Sequence, residues 1–515
     1  MNKLTRGVVF YAPEQKKQNS NRTITIFDTT LRDGEQTPGV TIPFDKKIEI
    51  ASQLDKLGVD AIEAGFPISS PGDKESVKKI AGLGLNADVC GLARSVIKDI
   101  DACIDCDVDM VHVFIPTSDV QREYTIKKTR EEALNSAVEM VEYIKSHGFK
   151  CMFSPMDATR TDFEYLVEIV KAVKAAGCDI VNIPDTVGVM VPTSTYELIY
   201  NLKKNVDMKY DMHCHNDFGL ANANSITAVE AGADQVQVTV NGIGERAGNA
   251  SLAEVVMALS SIYGFKTNIK TEYLTETSKM VEKYSGIKMP PMLPVCGENA
   301  FSHESGIHSQ GVLAKSDTFE PGVMTPEMVG QKRRIVLGKH AGRHAVLQNL
   351  EAVNIHPTEE QLTEILTKIK EIGDRGKTVT DADLYVVASV VLGKKGMDEA
   401  IKLKEVSVMT GNIVTPTAVI RAEVNGKETI AAQTGVGPVD AALRAAEEIV
   451  GDTTYKIEEF SIEAIAGGSD SLARVTIVLA NERGKSVTAK SANADIVMAS
   501  VEALINAMNA LAGMD

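Results

Sequence analysis

Residues 23–30 read TITIFDTT, a β-branched, apolar run that closes on an acid and two threonines. Runs of the same texture return along the chain: DAIEAG (60–65), DVCGLA (88–93), MVHVFIP (110–116), KCMFSP (150–155), IVNIPD (180–185), YDMHCHND (210–217) and QVQVTVNG (235–242). Between them lie stretches with helical spacing and helical punctuation. Asp45 to Leu57 is stopped by Gly58. From Thr161 to Ala176, Thr161 and Glu164 form a capping box, Leu166, Val170 and Val173 share a face, and Gly177 ends the helix. Alternating strand and helix patterns build a parallel sheet. Eight such units in about 260 residues match a closed (β/α)8 barrel of the TIM type, and the count favours it over a doubly wound open sheet.

Outward from that block, residues 1–22 read as an N-terminal extension and 23–265 as the barrel. Residues 266–402 are mostly helical (272–285, 359–372, 381–392) around a Gly/His-rich loop at 297–311, a linker subdomain. From 403 to 515 the texture becomes α+β and then repeats. TIAAQTGVGPVDAALRAAEEI, starting at Thr429, aligns with SVTAKSANADIVMASVEALIN, starting at Ser486, an offset of 57 residues. A lone copy of strands plus one amphipathic helix buries too little apolar surface, so the two copies are expected to pack together.

Composition narrows the class. Of 515 residues, 44% are hydrophobic and 24% charged, ordinary for a globular chain. No apolar run is long enough for a membrane span. With 54 Lys+Arg against 70 Asp+Glu the net charge is -16, which argues against a nucleic-acid surface. The first 22 residues carry Lys3, Arg6, Lys16, Lys17 and Arg22 against Glu14, with no apolar segment or small-residue cleavage site, so a cytoplasmic location is expected. The seven cysteines are an odd number set mostly in apolar runs and read as buried thiols. The single CxxC of Cys103 and Cys106 has no second pair and reads as packing.

In a barrel of this kind the working groups stand at the C-terminal strand ends. Strand 1 runs into Asp28-Thr-Thr-Leu-Arg32-Asp33-Gly-Glu-Gln36, placing a guanidinium and several carboxylates at that rim. Strand 7 ends in His213-Cys-His215, two imidazoles on one strand face. Asp33, and Asn249 just beyond strand 8, approach the histidines if the barrel closes. Two imidazoles with carboxylate and amide oxygens suit a divalent ion, Zn²⁺, Mn²⁺ or Mg²⁺. The structural alternatives are a helix N-cap for Asp33 and a cap of the helix near Ser251 for Asn249. The loop 241–249, NGIGERAGN, sets Gly242 and Gly244 beside Glu245 and Arg246, either as an anion cradle or as a tight turn. Its spacing is not a dinucleotide fingerprint. Downstream, His303, Glu304 and His308 cluster in a loop that can deliver an acid or base, or serve as a polar linker.

The stretches FDTTLRDGEQTPGV (27–40), EAGFPISSPGD (63–73), NIPDTVG (182–188), HCHNDFGLANANS (213–225), NGIGERAGNASLAE (241–254) and SGIHSQG (305–311) together resemble the 2-isopropylmalate synthase branch of the acyl-CoA condensing enzymes, over nearly the whole chain. That resemblance implies a Claisen-type condensation of acetyl-CoA with a 2-oxo acid followed by thioester hydrolysis. It further implies a divalent metal on Asp33, His213, His215 and Asn249, and Arg32 against the keto-acid charge. Thr186 and Gln36 would lie with the substrate, and Glu245, Arg246, Gly242 and Gly244 on the acetyl-CoA side. His308 would be the catalytic histidine, with Glu304 nearby, and the C-terminal repeat a leucine-binding regulatory domain of a homodimer. The GFPISSPGD segment is closer to isopropylmalate synthases than to citramalate or homocitrate synthases. A metal-dependent lyase or aldolase on the same barrel is the other reading. Two positions depart from many relatives: strand 5 reads Ser154-Pro155-Met156-Asp157 where Glu commonly precedes Asp, and Phe319 occupies the place of a common catalytic tyrosine. Met156 cannot share a proton, so either Asp157 or Glu304 substitutes for it, or His308 works with less assistance.

Overall fold

The computed structural model describes residues 13–304, 322–335, 342–351, 355–374, 379–392, 400–451, 455–464, 473–482 and 486–512, with Gly311, Lys315, Thr318 and Glu320. His308 and Phe319 lie outside the described residues. The chain divides into two compact units, 1–301 with 320–333, and 302–319 with 334–515.

In the first unit eight parallel strands close on themselves in chain order: β1 (Thr25–Asp28), β2 (Ala61–Gly65), β3 (Asp88–Arg94), β4 (Met110–Pro116), β5 (Lys150–Met156), β6 (Ile180–Asp185), β7 (Lys209–Cys214) and β8 (Gln235–Val238). Closure is made by β1 against β8, with Thr25 opposite Gln235 and Asp28 opposite Val238. The open-sheet alternative is thereby excluded. Phe27, Ala61, Cys90, Met110, Met152 and Ile180, one from each of the first six strands, form a small buried cluster of their own. Two residues further along β2, β4, β5 and β6, on the same face by the strand period, come Glu63, His112, Ser154 and Asn182. An apolar layer thus lies under a polar one at the C-terminal mouth.

The helix Phe44–Leu57 ends at Gly58, whose φ of 95° is left-handed, and a Cβ there would stand 2.5 Å from the Asn268 carbonyl oxygen. The helix after β5 begins later than its sequence suggests. It spans Phe163–Ala175, and Asp162, not Thr161, is the N-cap, accepting from the Tyr165 amide. Thr161 instead donates to the Asp157 carbonyl at 3.0 Å, so its hydroxyl closes the preceding turn. The chain entering the barrel is anchored at Arg22, which donates to the carbonyls of Val229 and Ala233. All seven cysteines are free and buried. Among the described residues no helix is long and apolar enough to cross a membrane.

In the second unit two-residue strands β9 (Ser302–His303) and β10 (Arg334–Ile335) pair in parallel. Helices at Arg343–Glu351, Glu359–Asp374 and Asp381–Val391 follow. The sequence repeat is a structural repeat. Strands β11 (Ile401–Met409), β12 (Thr417–Val424) and β13 (Lys427–Thr434) form an antiparallel sheet followed by the helix Pro438–Val450. Strands β14 (Tyr455–Ala464), β15 (Ala473–Asn481) and β16 (Ser486–Asn493) do the same before the helix Ile496–Ala512. The first strand of each sheet breaks register, at Leu403/Glu405 and at Ile457/Glu459. One apolar core joins both copies, through Ala441 and Ala445 of one helix and Leu504 and Met508 of the other. That core also takes in Val346, Leu362, Ile365 and Leu384 of the preceding helices.

Candidate active site

Closure of β1 onto β8 brings the loop after β1 beside the end of β7. There Asp33, His213 and His215 are buried at 1%, 5% and 8% exposure, and one ligand atom from each lies within 4.8 Å of the others. Asp33 Oδ2 is 3.2 Å from His213 Nε2 and 3.8 Å from His215 Nε2. The two Nε2 atoms are 3.3 Å apart. Asp33 does not cap the short helix that follows it. Asn249 pairs its backbone with His215 as an isolated antiparallel bridge, and its side-chain carbonyl oxygen is buried without a partner. It caps nothing either: the helix Leu252–Met257 starts from Ser251. Gly244 lets Asn249 sit there, since a Cβ on it would collide with the Asn249 side-chain nitrogen.

These groups fit a cation. The Asp33 oxygens and the Asn249 oxygen are buried and unsatisfied by hydrogen bonds, and buried acceptors that converge on one point are costly unless a positive charge or donors meet them. Burial would raise the Asp33 pKa, but Arg32 and both histidines hold it far below the usual carboxylate range. Burial and the neighbouring His213 lower His215 to about 4, so the ring is neutral at physiological pH and able to offer a lone pair to a cation. On the far side of His213, Nδ1 is 2.9 Å from Gln237 Oε1, and Gln237 Nε2 donates to Asp211 at 2.6 Å. Burial pushes Asp211 up to about 7.

Arg32 stands beside this cluster. Its Nε donates to Glu63 Oε2 at 2.6 Å, while Nη1 is 3.4 Å from Asp33. Burial opposes the guanidinium charge, yet Glu63 and Asp33 outweigh it and its pKa rises. Glu63 accepts from Thr29 and meets His112 Nδ1 at 2.7 Å, and His112 Nε2 meets Ser154 Oγ at 2.6 Å. Asn182 donates to the same Ser154 oxygen. Burial alone would lift Glu63, but Arg32 and His112 bring it down to about 2. Sequence reasoning passed over Glu63, His112, Ser154, Asn182 and Gln237. The available signal was a polar residue inside an otherwise apolar buried strand, as in MVHVFIP, where parallel barrel strands run nearly continuously apolar.

A cavity of about 280 Å³ opens over these groups, lined among others by Arg32, Asp33, Gln36, Thr186, His213, His215 and Glu245, with Leu92, Phe114, Met156 and Pro184 as its apolar wall. Arg246 pairs with Asp217 at 2.8 Å and donates to the Thr186 carbonyl. The Gly242 amide is spent on the Thr239 carbonyl, so at that residue the loop is a turn and not an anion cradle. Asp157 cannot be the acid that replaces Met156: it is fully buried, gripped by Arg160 at 2.7 Å and by Ser118, and absent from the cavity wall. Glu304 is exposed and belongs to the second unit.

The HMGL-like family matches residues 23–281, the homocitrate synthase post-HMGL domain-like family residues 295–377, and the LeuA allosteric (dimerisation) domain residues 378–512. A Methanosarcina acetivorans protein named "Probable 2-isopropylmalate synthase" is 66% identical, covering 99% of this chain and 98% of its own length. The chain belongs to the 2-isopropylmalate synthase family. The 2-isopropylmalate synthase of Methanocaldococcus jannaschii is 53% identical over 94% of both chains. The (R)-citramalate synthase of the same organism is more distant, at 46% over 95% of this chain and 99% of its own.

Proposed function

We propose that this chain is an acyltransferase that condenses acetyl-CoA with 3-methyl-2-oxobutanoate and hydrolyses the thioester, yielding 2-isopropylmalate and CoA in the first committed step of leucine biosynthesis. One observation carries the reading: Asp33, His213 and His215 converge beside Arg32 at the mouth of the barrel. Asp33, His213, His215 and Asn249 would hold a divalent ion (Mg²⁺, Mn²⁺ or Zn²⁺). Bound there, such an ion polarises a keto oxygen and offsets the negative charge that grows as carbon–carbon bonding begins.

The chain's own groups do the rest. Arg32, fastened at Nε by Glu63 and with Nη1 turned to Asp33, lends its positive charge to the carboxylate of the 2-oxo acid. The Thr186 hydroxyl accepts from the Asp157 amide at 2.9 Å, so its proton is directed elsewhere, to the substrate carboxylate. Gln36 contributes a further polar contact from the cavity wall. Gly242, Gly244, Glu245 and Arg246 belong to the acetyl-CoA side. His308, assisted by Glu304, takes a methyl proton from acetyl-CoA; the resulting carbanion attacks the keto carbon, the alkoxide is protonated, and water cleaves the thioester to release CoA. The second unit would bind leucine as feedback inhibitor and join two chains in a homodimer.

Citramalate synthesis from pyruvate is the second reading, favoured by citramalate synthase relatives at 46% identity, and a lyase or aldolase on the same barrel the third. Thiol release from acetyl-CoA, measured side by side with pyruvate, 3-methyl-2-oxobutanoate and 2-oxoglutarate, tests the first two, and retro-aldol turnover of a 2-hydroxy acyl substrate tests the third. The expected result is metal-dependent release with 3-methyl-2-oxobutanoate foremost. Faster release with pyruvate would replace the substrate, and no release with any oxo acid would remove the reading.

A further inference from the structure

The barrel interior holds a second polar line, of which His213 reaches the cavity wall and Asp211, Gln235 and Gln237 lie beneath it. Asp211 and His213 alternate along β7, and Gln235 and Gln237 along β8, with Asp211 opposite Gln235. Gln237 is 1% exposed and Asp211 fully buried. Elsewhere at this depth the interior is filled by Phe27, Met152 and their apolar neighbours. A buried amide beside a buried carboxyl is costly unless each finds a partner, and an apolar pair would fill the same space without that cost.

The direction of the hydrogen bonds says what the pair does. The Gln237 amide presents its nitrogen to Asp211 at 2.6 Å, the orientation that the ionised carboxylate, which has no proton to give, requires. Its carbonyl oxygen is then turned to His213 Nδ1 at 2.9 Å. An oxygen there accepts, so His213 must carry its proton on Nδ1. In the neutral ring Nε2 is then the atom with the lone pair, and it faces Asp33 Oδ2 at 3.2 Å. The opposite tautomer would put a proton where a metal bond has to form.

We propose that Gln237, oriented by Asp211, is a positioning residue that locks His213 in the Nδ1–H tautomer and so presets Nε2 for the divalent ion. This rests on the metal site of the proposed function. It predicts that metal affinity depends on an amide carbonyl that never touches the metal.

Gln237→Met keeps the side-chain length and removes the acceptor. Gln237→Glu keeps an acceptor at the same place. The test titrates each metal-stripped full-length protein with Mn²⁺ or Zn²⁺, and reads the His213 tautomer in the metal-free wild type from ¹⁵N-histidine NMR, assigned with His213→Gln. The expected results are Nδ1–H in the wild type, affinity in Gln237→Met lower by roughly 10- to 100-fold, and affinity in Gln237→Glu within a few-fold of wild type. Wild-type affinity in Gln237→Met, whatever its melting temperature, would make Gln237 a packing residue and overturn the proposal. If Gln237→Met does not fold, an Nε2–H proton on wild-type His213 overturns it equally. Failure of the wild type itself to bind either ion sinks the metal site instead, a separate result.

Discussion

At the scale of single residues, Asp33 is the group on which the chemistry turns. Its carboxylate is the one anionic member of the cluster, and replacing it leaves two imidazoles without an anionic partner. Asp33→Ala is expected to lose metal binding in a direct titration and to lower oxo-acid-dependent thiol release by at least ~10²–10³-fold. Glu63 works differently, by holding Arg32 and His112 at once. Glu63→Gln leaves buried partners without their counter-charge and should cost about 3–5 kcal/mol in denaturant unfolding. Its pH signature has a definite sign. The folded-state pKa is depressed to about 2 from 4.5, so the stabilisation is present above pH 4.5 and is lost as pH falls through 2. Wild type and Glu63→Gln should therefore converge in stability on acidification across that window.

At the scale of elements, turns carry the constraints that helices and strands do not. Gly58 ends the helix Phe44–Leu57 at φ 95°, and its missing Cβ makes room for the Asn268 carbonyl. Gly58→Ala meets both a strained backbone and a clash, and should destabilise by roughly 1–3 kcal/mol in thermal unfolding without changing substrate preference. Sequence pattern placed all eight strands within a few residues, because a run of β-branched residues between turn signals is a local property. It missed the start of the helix after β5 because Thr161 and Asp162 are both competent caps. The choice between them fell to Asp157, whose carbonyl takes the Thr161 hydroxyl.

At the scale of the whole molecule, the apolar core of the second unit does not stop at the first regulatory strand. Leu362, Ile365 and Leu384 are buried together with Val475, Leu504 and Met508. A chain ended at residue 402 would strip the cover from the helices Arg343–Glu351, Glu359–Asp374 and Asp381–Val391. Such a chain is expected to aggregate or to be digested rapidly by protease back to about residue 333. A chain ended at 333 keeps the first unit's described packing and should give a cooperative melt. Equal protease resistance of the two truncations would show that the helices fold without the repeat.

Periodicity, punctuation and count run along the chain, and they determined the eight strands, the barrel, the repeated C-terminal unit and the candidate ligands Asp33, His213, His215 and Asn249. Lateral neighbours are another matter, since two strands far apart in sequence touch only after the sheet closes. Tertiary structure alone decided that Glu63 meets Arg32 and His112, that Gln237 faces His213, and that Asp157 is spent on Arg160. A hydrogen bond is set by which side chains share a layer of the barrel interior, and the shear of closure, not the order of residues, fixes that layer.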